Sequence, residues 1–97
     1  IRDRDVTGVQ TCALPIYVYA WNGNNIYVTK DNGRWEERQK YQYAAITKCN
    51  ELLALINIAR RLFHLKGKKV RYWSQLTLEC RMLLSRWHEA NAEQYGT

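Results

Sequence analysis

The sequence predicts an α+β fold: an N-terminal β-hairpin, grown to three short strands if residues 34–37 join it, followed by an antiparallel two-helix hairpin. Three observations carry that expectation. Two aromatic and β-branched runs, TyrValTyrAlaTrp and IleTyrValThrLys, are separated by AsnGlyAsnAsn, a pairing of strand signals around a tight-turn signal. Ala45, Cys49, Leu52, Ile56, Ala59 and Phe63 then recur at steps of four and three, the spacing of one helical face. Trp73, Leu76, Cys80, Leu83, Trp87 and Ala90 repeat that spacing beyond a basic turn centred on Gly67.

The first sixteen residues fit neither pattern. They show no amphipathic period and hold the only proline, Pro15, so an irregular leader is expected. Ile1 to Ile16 resembles the conceptual translation of an index-bearing adapter from short-read DNA sequencing libraries. Residues 6–16, ValThrGlyValGlnThrCysAlaLeuProIle, match its constant part, Ile1 to Asp3 match the primer, and Arg4 and Asp5 stand where the index codons would be. That resemblance implies a non-biological leader joined to an N-terminally truncated gene product, in keeping with a sole methionine at Met82. Residues 1–16 are therefore set apart from the expected fold, and residues 17–97 are read as one small α+β domain or a fragment of a larger protein.

Strands are expected at 17–21 and 26–30, with Asp31-Asn32-Gly33 as a second turn before a short third strand at 34–37. Alternation puts Tyr17, Tyr19 and Trp21 on one face, and these aromatics are read as packing and cross-strand partners in preference to a base-stacking platform. Helix is expected over about 38–65, with Leu53, Leu55, Ile58 and Leu62 widening its apolar face. Glu36 and Glu37 near its start and Arg60, Arg61, His64 and Lys66 near its end suit the helix dipole. The second helix has two candidate starts, directly after Gly67 or at a cap such as Ser74 or Thr77, and Gly96 marks its stop.

Folding back about Gly67 would set Cys49 opposite Arg86 and Cys80 opposite Leu55, roughly 9 Å apart along the axis at helical rise, too far for a disulfide. Both thiols then read as buried small hydrophobes, and with His64 near the tip and His88 near the open end no metal site is expected. Neither a carboxylate pair, a phosphate-loop glycine pattern nor a nucleophile motif appears, so no catalytic residues and no cofactor are assigned.

Charge supplies the functional candidates. The chain carries a formal +6 with pI near 9.4. Arg60, Arg61, Lys66, Lys68, Lys69 and Arg71 fall within twelve residues that hold no acid, with Trp73 close by. They form a candidate nucleic-acid or polyanion site at the hairpin tip, although cations also suit a helix C-terminus and a solvated turn. The favoured reading is a structural or protein-interaction helical hairpin, packing on a missing domain of the parent protein or on a second copy. Nucleic-acid binding through residues 60–71 is the alternative. Three irregularly spaced cysteines point to a reducing compartment, the cytoplasm, and the run Leu52 to Leu65, broken by Asn57, Arg60 and Arg61, is not a membrane span.

Overall fold

The structure is a computed structural model that describes the backbone of residues 2–96 and the side chains of residues 13–96. The described residues form three helices, α1 (Arg2–Asn24), α2 (Trp35–Phe63) and α3 (Gly67–Tyr95). Among the described residues there is no strand, so the fold is all-α and the expected β-hairpin is absent.

Residues 17–21 form the last turns of α1, residues 26–30 are irregular loop, and residues 34–37 lead into and start α2. The alternation in TyrValTyrAlaTrp is real, but a second spacing runs through the same residues. Ala13, Ile16 and Ala20 recur at helical steps and pack on the core around Ala45 and Cys49. A β preference largely expresses fit to a pleated, half-buried surface, and a lone two-stranded ribbon has little such surface to fit. The AsnGly signal has another use as well. A Cβ at Gly23 would meet the Tyr41 Cβ at 3.0 Å and the Trp87 ring at 3.4 Å, so this glycine allows close helix packing instead of a reversal. Helix also covers residues 2–16, where irregular backbone was expected, with Pro15 in its interior.

The reversal comes between α1 and α2, in a loop that Asn32 closes. Its Nδ2 donates to the Tyr27 carbonyl at 2.9 Å, and its Oδ1 accepts from the backbone N–H groups of Thr29 at 3.1 Å and Arg34 at 3.0 Å. Gly33 takes φ +69, which glycine adopts without a steric penalty. Ile26 and Val28 turn inward and are buried beneath this loop.

α2 is the central helix, with α1 and α3 packed along it and little direct contact between those two. Its buried residues, Gln42, Ala45, Cys49, Leu52 and Ile56, follow the expected stripe with one more turn at the N-terminal end, but the stripe fails at its other end, where Ala59 is half-buried and Phe63 is exposed. On α3 the buried residues are Val70, Thr77, Leu84 and Asn91, spaced by seven, with Trp73, Cys80 and Trp87 packed beside them. Spacings of three and four on facing helices make a coiled-coil-like seam. Half of the stripe expected on α3 is thus correct, at 73, 80 and 87, while Leu76, Leu83 and Ala90 lie on an exposed flank.

The hairpin turns at His64, not at Gly67. His64 closes α2 in the left-handed region (φ 52, ψ 44), and Gly67 is the first residue of α3, the earlier of its two candidate starts. This moves the register. Arg81 Nη1 donates to Asn50 Oδ1 at 2.6 Å, Arg38 Nη1 to Asn91 Oδ1 at 3.0 Å, and Gln39 Nε2 approaches His88 Nε2 at 3.3 Å. In that alignment Cys49 faces Cys80 and not Arg86, so the offset that separated the thiols is not there.

The molecule measures 52 × 19 × 15 Å, and its largest fully buried side chains are Gln42 and Cys49. So thin a body has little interior, and much of its apolar surface stays outside.

Candidate functional site

Two features stand out on this scaffold, a basic tip and an apolar flank. The tip is built by the C-terminal turn of α2, the residues His64 to Lys66 and the first turns of α3. Arg60 and Arg61 occupy the last turn of α2, where cations complement the carbonyl end of the helix dipole. Lys68 and Lys69 occupy the first turn of α3, where the dipole is unfavourable to them and no acidic residue offsets it. Arg60, Arg61, Lys66, Lys68 and Arg71 are exposed, while Lys69 and Trp73 are half-buried.

The structure brings all six cations to one end of the molecule. Among the described residues the ion pairs are Arg34–Glu37 and Lys48–Glu51, so none of the six is paired. Outside residues 60–71 the chain has equal numbers of cationic and anionic side chains, and these six therefore carry the whole net charge of +6. Trp73 packs against the core cluster and is half-buried.

The apolar flank was legible only in part. Leu55 and Leu62 lie seven residues apart on α2, Leu55 just before the buried Ile56, and Leu76 and Leu83 lie seven apart on α3, just before the buried Thr77 and Leu84. In an antiparallel pair these positions border the seam on one side. Leu62 is 68% exposed and Leu83 62%, with Leu55 and Leu76 near one half. The stripe of apolar residues on α2 signalled excess apolar surface, but the seven-residue spacing on α3 includes Thr77 and Asn91 and was hidden by their polarity.

At the opposite end, Asn22, Ile26, Arg34, Glu37, Lys40 and Tyr41 line a cavity of about 510 Å³. The Arg34–Glu37 ion pair, 2.9 Å long, crosses its wall. Nothing in that lining pairs a nucleophile with a base. Among the described residues no three His, Cys, Asp or Glu side chains converge as a metal site would need, and no helix is long and apolar enough to cross a membrane. Neither a protein-family model, nor a curated protein, nor a solved structure matches the chain.

Proposed function

We propose that this chain is a helical assembly module that associates with a second copy of itself through the flank formed by Leu55, Leu62, Leu76 and Leu83. The observation that carries this reading is the exposure of four leucines on two antiparallel helices of a slab 15 Å thick, with Leu55 and Leu76 opposite each other and Leu62 and Leu83 one heptad to either side. Removing a half-exposed leucine from water contributes about 1 kcal/mol, and a two-fold contact gains each contribution twice. Charge selects the orientation. Two copies with their basic tips together would set six cations against six, whereas an antiparallel pairing lays each tip against the charge-balanced end of its partner.

Sedimentation of the full chain over a range of concentrations tests this reading. Self-association is expected, together with a shift to monomer in a Leu62→Lys, Leu83→Lys variant of unchanged helix content. A wild-type chain that sediments as a monomer throughout overturns it and leaves the flank for a different protein.

A second reading, in which the tip binds a polyanion such as nucleic acid, is favoured by one observation: the six cations, without an ion-pair partner among the described residues, account for the entire net charge. Its support is electrostatic and carries no base-reading element. It predicts sequence-independent binding to single-stranded and duplex oligonucleotides that weakens steeply with salt. Binding that ignores salt, or no binding at low salt, overturns it.

A further inference from the structure

We propose that Cys49 and Cys80 form a dithiol–disulfide pair that clamps α2 to α3 across their seam. Cys49 is fully buried within the core cluster, and Cys80 is half-buried against the same cluster. Arg81, next to Cys80, donates from its side chain to the Asn50 side chain, next to Cys49, at 2.6 Å, which sets the two cysteines in the same layer of the seam. Seam positions of adjacent helices bring Cα atoms close to the separation a disulfide spans. The proximity has an electrostatic signature too: burial pushes the Cys49 thiol up to about 12, and the neighbouring Cys80 thiol adds to the rise.

The two sulfurs divide the chemistry by access. The Cys80 thiolate, on the more open side, attacks one sulfur of a low-molecular-weight disulfide such as oxidised glutathione. A mixed disulfide forms and one glutathione thiolate leaves. Cys49 then gives up its proton to solvent and attacks the Cys80 sulfur, forming the interhelical bond and expelling the second glutathione. Two protein thiols are oxidised and one disulfide is reduced to two thiols, so atoms and electrons balance. The second step is the slow one, because a thiol with a pKa near 12 is almost wholly protonated at neutral pH. The product is a slow lock on the hairpin register, not a rapid switch.

The experiment uses the full chain with Cys12→Ser, which leaves these two thiols as the only ones. Folded protein is incubated with oxidised glutathione, excess thiols are alkylated, and peptide mapping locates any bond. Expected are an intrachain Cys49–Cys80 link, retained helix content, and a Tm raised by about 10 °C or more over the reduced form. Closure is also expected to accelerate about tenfold per pH unit between about pH 7 and 9, as the Cys49 thiolate fraction grows. The proposal is overturned if both cysteines remain fully alkylated, if glutathione stays on Cys80 without closure, if the link joins two chains, or if it forms only in urea-unfolded protein. A Cys80→Ser chain of normal helix content that still consumes oxidised glutathione at Cys49 overturns the assigned order of attack.

Discussion

Arg38 on α2 donates from Nη1 to the Asn91 side-chain oxygen on α3 at 3.0 Å, and the same guanidinium reaches the carbonyls of Gly23 and Ile26. One planar group thus ties together the end of α1, the following loop and both helices of the hairpin. It also gives buried Asn91 its partner, which explains a polar residue in the seam. Arg38→Ala is expected to destabilise the chain by about 2–4 kcal/mol in urea unfolding, since it leaves several acceptors short of a donor. Arg38→Lys should recover little of this, because an ammonium cannot serve three divergent acceptors with the fixed geometry of a guanidinium.

Gln42 is the opposite case. It is wholly buried, and neither its Oε1 nor its Nε2 has a hydrogen-bond partner among the described residues. Thr77 in the same seam is satisfied, donating its hydroxyl to the Trp73 carbonyl at 2.8 Å. Gln42→Leu, nearly conserved in volume, is expected to raise unfolding free energy by about 1–2 kcal/mol by removing two unmet polar atoms. A loss of stability instead would mean that the amide is held by a partner not seen among the described residues.

His64 carries the left-handed conformation at the α2 C-terminus that glycine usually supplies. His64→Gly is expected to stabilise the hairpin by about 0.5–1 kcal/mol in the same urea titration, with the register and the exposed flank unchanged.

How much of this was legible in the sequence follows from what each residue type discloses. The α2 stripe from Ala45 to Ile56 was readable because its inward residues are apolar, whereas Phe63, expected on the same face, is 71% exposed because little of the described chain packs over the helix end at the turn. The α3 seam was half readable, since Thr77 and Asn91 are buried through hydrogen bonds that periodicity does not register. Tyr17 to Trp21 was misread because strand alternation and helical spacing coexist there, and only the tertiary partner, α2, decides between them. Gly67 drew the turn three residues too late because the sequence offers no sign that a histidine would take positive φ. That small displacement carried Cys49 away from Cys80 in the expected register. The six cations of the tip, by contrast, needed no register to be placed together.

The raised Cys49 pKa ties stability to alkaline pH. The shift is from 9.0 to about 12, caused first by burial and then by Cys80. A folded state that holds its proton more tightly than the unfolded chain is stabilised below the unfolded pKa, and that contribution fades as pH rises through the interval toward the folded value. Urea midpoints of the reduced protein are therefore expected to fall between about pH 9 and 12 more steeply than those of Cys49→Ala. The comparison cancels the lysines and tyrosines that titrate in the same range. Equal slopes would show that the fold does not hold the Cys49 proton more tightly than the unfolded chain does.

Lys68 and Lys69 separate a binding role for the tip from a structural one. Both sit in the first turn of α3, where a cation opposes the helix dipole and the neighbouring cations of the tip repel it. Replacing both with glutamate is expected to stabilise the chain by about 0.5–2 kcal/mol, as acids favour a helix N-terminus. If these lysines touch phosphates, the same variant should bind oligonucleotides more weakly. The slope of log affinity against log salt should also flatten by about one for each contact removed. Arg61→Gln, at the favourable end of α2, should weaken binding while costing about 0.3–1 kcal/mol of stability. Opposite stability effects with the same loss of affinity are the pattern that a phosphate-contacting tip produces. Changes in stability with no change in affinity or salt slope would assign the six cations to solvation alone.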